Sequence, residues 1–151
     1  MRLTVDASVV TKWFVPEPLF EEARLVLSYP VDLHAPDLLL AEFANTIWKK
    51  RRRGEILDDR PYMDELVGLH EIVELHQVSG LVLRAGRLAR EIDHPVYDCL
   101  YLACAEATES VLVTADRKFA TKLGANFGDV SILHVGAESF ANDLETLSGA
   151  Q

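Results

Sequence analysis

Positive charge is scarce in this chain. Fifteen lysines and arginines face 24 aspartates and glutamates, giving a formal net charge of −9, which excludes a nucleic-acid binder held by bulk electrostatics. Cysteine is rarer still. Cys99 and Cys104 make no CxxC pair, and they read as small apolar residues inside a predicted helix, in a reducing cytosol. Five histidines, His34, His70, His76, His94 and His134, are scattered without ligand spacing, so zinc is not expected. No apolar run approaches the length of a bilayer span, and the N-terminus has no signal-peptide pattern, so the expectation is a cytoplasmic protein without a membrane partner. The chain lacks a GxxxxGK[ST] loop and a GxGxxG turn, which leaves nucleoside-triphosphate and dinucleotide binding without support. It also lacks repeats, low-complexity tracts and long linkers, so one domain over residues 1–151 is expected.

What is present is an alternation of strand and helix patterns. Residues 2–6 read as a short buried strand, and a helix follows through Val9, Val10, Trp13 and Phe14 to Pro16. A second helix is expected over about 17–28 with Pro18 in its first turn, then a strand over 31–35. A long helix runs from Pro36-Asp37 to Arg53, closed by Gly54. Further helices are expected at about 59–70, after a Ser79 cap, from Pro95, over 116–123 and over 137–147. Strands are expected at 72–77, 110–114 and 130–134. Such alternation implies a mainly parallel sheet of about five strands, covered on both faces in three α/β/α layers.

Four acids sit where isolated carboxylates are hard to explain. Asp6 ends one apolar run and Asp116 follows another. Asp98 opens the apolar helix Cys99-Leu100-Tyr101-Leu102-Ala103-Cys104-Ala105, and Glu42 interrupts Leu38-Leu39-Leu40-Ala41 and Phe43-Ala44. A desolvated carboxylate needs a partner. Each acid alone has a structural reading: Asp6 and Asp116 as N-caps, Asp98 at a helix dipole, Glu42 paired with an arginine. Together they suggest more. Two carboxylates about 5 Å apart repel by roughly 3 kcal/mol at an effective dielectric near 20, so converging acids collect cations, and hard oxygen ligands suit Mg²⁺ or Mn²⁺. In open parallel sheets such a site belongs at the carboxyl ends of the strands, where Asp6 and Asp116 fall. One local basic run, Lys49-Lys50-Arg51-Arg52-Arg53, reads either as a solvated helix end or as a phosphate-contacting patch.

These segments resemble PIN-domain nucleases, and among them the VapC-type toxins of toxin–antitoxin pairs. The matching stretches are Val5-Asp6-Ala7-Ser8-Val9-Val10 with Lys12-Trp13-Phe14, and Pro36-Asp37-Leu38-Leu39-Leu40-Ala41-Glu42-Phe43-Ala44-Asn45. They continue with Tyr97-Asp98-Cys99-Leu100-Tyr101-Leu102-Ala103 and Val113-Thr114-Ala115-Asp116-Arg117-Lys118-Phe119. The resemblance implies an Mg²⁺- or Mn²⁺-dependent endoribonuclease. In it Asp6, Asp98 and Asp116 hold the ion, and Glu42 orients or deprotonates the attacking water and helps hold a second ion. Ser8, Asn45 and Thr114 support these groups, and Lys12 with the run from Lys49 to Arg53 draws the RNA. It also implies 5′-phosphate and 3′-hydroxyl products, a homodimer, and a VapB-like antitoxin that covers the acids. Many relatives carry a further acid where this chain has Lys118, which weakens a second metal position. The alternative reading is a PIN-like binding module without activity. A haloacid-dehalogenase-type phosphatase fits less well, because Ser8 stands where its second aspartate belongs.

Overall fold

Among the described residues six strands form one sheet in the order β3-β2-β1-β4-β6-β5. They are β1 (Arg2–Val5), β2 (Asp32–Pro36), β3 (Glu74–His76), β4 (Val111–Thr114), β5 (Asn126–Phe127) and β6 (Val130–His134). The computed structural model describes residues 1–149. All neighbours pair in parallel except β5 with β6. The extra strand beyond the anticipated five is β5, a two-residue edge too short to carry an alternating pattern. It turns into β6 through Gly128, whose φ of 57° suits the tight hairpin.

The described residues form eight α-helices, seven between strands and α8 after the last: α1 (Ala7–Phe14), α2 (Phe20–Leu25), α3 (Leu38–Arg52), α4 (Arg60–Ile72), α5 (Val78–Ile92), α6 (Val96–Thr108), α7 (Arg117–Leu123) and α8 (Phe140–Ser148). The chain moves from β1 to β2 to β3 in one direction across the sheet, then crosses back to β4 and β6. Right-handed crossovers therefore set α1–α4 against one face and α5–α7 against the other. The periodicities agree with that layering. α5 buries the stripe Leu81, Ala85 and Leu88, whereas α6 buries every residue from Cys99 to Ala105 and lies enclosed between α5 and the sheet. α3 buries Leu39, Phe43 and Ile47, and Phe14 of α1 meets Phe43 edge-on at 5.5 Å. One apolar cluster extends from Leu3 to Leu144. Among the described residues no helix is long and apolar enough to cross a membrane.

Several local expectations change: the strand expected over 72–77 shortens to Glu74–His76 because α4 continues to Ile72, and the last helix begins at Phe140 rather than at 137. The second helix does not begin at residue 17: α2 starts at Phe20, after Leu19 adopts φ 67°, and ends in a 3₁₀ turn over Val26–Ser28. Residues before a proline are barred from the helical region, so Pro16 and Pro18 keep Val15 and Glu17 outside any helix. Ser79 does not cap α5. That helix begins at Val78, whose N–H is accepted by the Asp37 carboxylate at 3.1 Å across the fold.

Candidate active site

Parallel pairing of β1 with β4 sets Val5 beside Val113, so the two strands end together. Asp6 and Asp116 leave those ends and cap the helices that follow. Asp6 accepts the Val9 N–H at 3.1 Å, and Asp116 accepts the Phe119 N–H at 2.9 Å. Capping and convergence are one device here, since each cap holds its carboxylate at the same edge of the sheet. Two hydroxyls lace the pair together. Thr114 Oγ1, fully buried on β4, donates to Asp6 and accepts the Asp116 N–H at 3.0 Å. Ser8 Oγ also donates to Asp6 and accepts the Ala115 N–H at 3.0 Å.

Glu42 arrives from α3 and Asp98 from the first turn of α6. Glu42 Oε2 accepts the Tyr101 hydroxyl at 2.5 Å. Asp98 Oδ2 lies 2.7 Å from His94 Nε2, and the His94 ring stacks on Phe119 of α7 with centroids 4.7 Å apart. All four acids line one cavity of about 340 Å³, together with Ser8, Lys12, Glu17, Thr46 and Tyr101. A larger cavity, about 740 Å³, opens between α7, β6 and α8, but none of the four acids faces it.

The electrostatics of the acidic cavity are strained. Asp6 is only 7% exposed, and burial pushes its carboxyl up to about 6 against the pull of the Ser8 and Thr114 hydroxyls; the charge of Asp98 adds to the rise. Burial also raises Glu42 above its usual range, again with help from Asp98, while the Tyr101 hydroxyl pulls it back. Among the described residues no lysine or arginine pairs with any of the four; His94 is the sole basic side chain in contact, with Asp98. Two of the nearby cations are engaged elsewhere. Lys12 and Lys50 grip Glu17 at 2.7 and 2.6 Å. Burial works against the Glu17 charge, yet these two ammoniums hold its carboxyl below the ordinary value.

Helical geometry sorts the anticipated residues. Glu42, Thr46, Lys49, Lys50 and Arg53 recur at steps of three and four, share one face and line the cavity. Asn45 is exposed and absent from the cavity, and Thr46, one position on and closer in azimuth to Glu42, stands there instead. Arg51 and Arg52 turn away: Arg51 faces Asp59 at 3.8 Å, and Arg52 lies over the Trp48 ring at 5.2 Å. Burial ranks the acids differently from the sequence pattern. The first turn of α6 stands clear of the apolar part of that helix, which leaves the Asp98 side chain 37% exposed and makes Asp6 the most buried member. Sequence reasoning missed Tyr101, His94 and Glu17. His94 and Tyr101 carried a signal, lying four residues before and three after Asp98; Glu17 carried none, because its contacts depend on how the two prolines turn the chain.

The donor set fits a hard divalent cation, being four carboxylates to which, among the described residues, no lysine or arginine is paired. They are spread more widely than a closed ligand cage. Among the described residues, the one group of three metal-type ligands lying mutually within 4.8 Å is His34, Glu74 and His76, on β2 and β3. Ligand sets of carboxylates completed by water are those that Mg²⁺-type ions favour. The histidines, scattered in sequence, are not all scattered in space.

Residues 3–122 match the family model described as PIN domain. The chain is 35% identical over 127 residues to ribonuclease VapC3 of Pyrobaculum aerophilum, covering 83% of this chain and 97% of that protein. Among solved structures it is similar to PAE2754 of Pyrobaculum aerophilum, with a TM-score of 0.63 at 23% identity, over 97% of this chain and 90% of the other. It is also similar to VapBC2 of Rickettsia felis, a structure bound to a DNA fragment from its promoter, with a TM-score of 0.60 at 15% identity, over 89% and 98% of the two chains. These two likenesses speak to the fold.

Proposed function

Because the chain belongs to the PIN-domain family, in its VapC branch, we propose that it is a metal-dependent endoribonuclease and the toxin of a VapBC-type toxin–antitoxin pair. The whole of residues 1–151 serves as one nuclease unit. The observation that carries the reading is the convergence of Asp6, Glu42, Asp98 and Asp116 on one cavity with, among the described residues, no lysine or arginine paired to any of them.

Asp6, Asp98 and Asp116, with Glu42 beside them, would hold Mg²⁺ or Mn²⁺. When bound, the ion lowers the pKa of a water and neutralises charge that builds on the phosphate. The protein supplies the rest. Glu42, raised in pKa by burial, takes a proton from the attacking water, and the Tyr101 hydroxyl keeps its carboxylate aimed. Ser8 and Thr114 fix the rotamer of Asp6, and His94 fixes Asp98. Lys12, Lys49, Lys50 and Arg53 flank the acids and suit the neighbouring phosphates of an RNA strand, so a net charge of −9 does not bar the substrate. Arg51 and Arg52, on the outer side of the same helix, suit more distant phosphates. Water rather than the 2′-hydroxyl is the nucleophile, so the products carry 5′-phosphate and 3′-hydroxyl ends.

The protein works in the cytoplasm, as a homodimer that a small VapB-like antitoxin silences by covering the acids. Exposed Trp48, Leu57 and Val67, from α3, α4 and the segment between them, supply apolar surface for such contacts. Sequencing the RNA ends that accumulate on expression tests the reading. Discrete new 5′-phosphate ends should appear with the wild-type chain and not with Asp98→Asn; identical end profiles from the two would overturn it.

A further inference from the structure

A second cluster of ligating side chains lies on the sheet, away from the acidic cavity. The register of β2 with β3 sets His34 opposite Glu74 and Pro36 opposite His76. Residues two apart on a strand share a face, so Glu74 and His76 project together, and His34 projects with them from the neighbouring strand. The contacts bear this out: His34 Nδ1 lies 3.1 Å from His76 Nε2 and 3.5 Å from Glu74 Oε2. None of the three lines the acidic cavity.

We propose that His34, Glu74 and His76 form a binding site for a zinc-class divalent ion, with the fourth position left to water. A tetrahedral centre with bonds of 2.0–2.1 Å has ligand atoms about 3.3 to 3.4 Å apart. The two measured separations bracket that spacing, so the side chains stand close to where an ion would gather them. Two imidazoles and a carboxylate are the donors such ions prefer, whereas Mg²⁺ prefers oxygen alone. The His34 ring is nine-tenths buried, and its Nε2 has no hydrogen-bond partner. A buried ring nitrogen left unsatisfied is a cost, and it is explained if the ring is retained for what its Nδ1 binds. The Glu74 side chain is 68% exposed at the sheet edge, which gives an ion its route in. The bound ion would tie the three-residue strand β3 to β2 beside the start of α3, where the Asp37 N–H already bonds the His76 carbonyl at 2.8 Å.

Cobalt(II) serves as the probe, because four-coordinate Co²⁺ absorbs visibly and intensely where the hexaaquo ion does not. With the full chain in excess Mg²⁺, one equivalent of Co²⁺ should develop the four-coordinate band, and Zn²⁺ should abolish it and raise Tm in a concentration-dependent way. His76→Gln and Glu74→Gln alter side chains with solvent access and should keep the fold. The first should bind Co²⁺ at least tenfold more weakly, and the second should weaken it measurably. Glu42→Gln and Asp98→Asn should leave the band intact. No band in the wild-type chain, an undiminished band in His76→Gln, or loss of the band in Asp98→Asn overturns the proposal. A simple N–H···N bond between the rings gives the first of these outcomes.

Discussion

Replacing Asp6 with asparagine should make the metal-free protein more stable, although it removes a residue central to the proposed chemistry. Burial raises the Asp6 carboxyl from an ordinary 3.8 to about 6. At 1.36 kcal/mol per pH unit, ionised Asp6 therefore costs the folded state about 3 kcal/mol at pH 8. Because the folded-state pKa is the higher one, protonation favours the fold. The penalty is absent below pH 3.8, grows as pH rises, and is complete only once pH has passed 6. At pH 5 it has fallen to roughly half, about 1.6 kcal/mol. Asparagine keeps an acceptor for the Val9 N–H, caps about as well as aspartate, and leaves the Ser8 and Thr114 hydroxyls free to rotate toward its amide. Urea titrations of both proteins in EDTA at pH 8 and pH 5 measure the effect. Asp6→Asn should gain up to about 3 kcal/mol at pH 8 and about half of that at pH 5. Saturating Mn²⁺ should then stabilise the wild-type protein more than the variant. A variant less stable than wild type at pH 8 would refute the reasoning, since Asp6 would then be a structural cap that the fold needs charged.

Tyr101→Phe should lower cleavage about 10- to 100-fold, from loss of one hydrogen bond to a charged group; since that bond favours ionised Glu42, the acid limb of the pH–rate profile should move to higher pH. Glu17→Gln should release Lys12 for phosphate, while Lys50 keeps its ion pair with Glu55 at 3.0 Å. RNA binding, measured by fluorescence anisotropy, should tighten about 3- to 10-fold at low salt, and the log–log salt slope should steepen by about one. Leu144 is fully buried on α8, beyond the segment matched by the family model. Leu144→Ala should cost about 2.7 to 5 kcal/mol in urea unfolding, and a negligible loss would mean that α8 is not integral to the domain.

Much of this fold was legible because its signals are long-range only in consequence. Largely apolar runs at residues 3–5 and 111–115, each followed by an acid, announced two buried parallel strands and the edge at which they stop. The enclosed stretch of α6 was legible from unbroken apolar sequence. Where reading failed, a cause outside the local pattern intervened. The β5 edge is too short for periodicity, and the α5 cap comes from Asp37, 41 residues away. Asp98 looked buried because its neighbours are apolar, but burial begins only one residue later, at Cys99. The five-cation run looked uniform until helix geometry sent Arg51 and Arg52 outward. His34 and His76 looked unrelated because strand register, not spacing, brings them together.

The central claim is that four convergent carboxylates make a metal centre that hydrolyses RNA with water. Its most direct test is end-group analysis of RNA cut by the purified chain in Mn²⁺, in excess EDTA, and in EDTA with Mn²⁺ restored. The account predicts 5′-phosphate and 3′-hydroxyl fragments in the first and third conditions only, and none from Asp98→Asn in any. Cyclic 2′,3′-phosphate ends, or undiminished cleavage in EDTA, would contradict it.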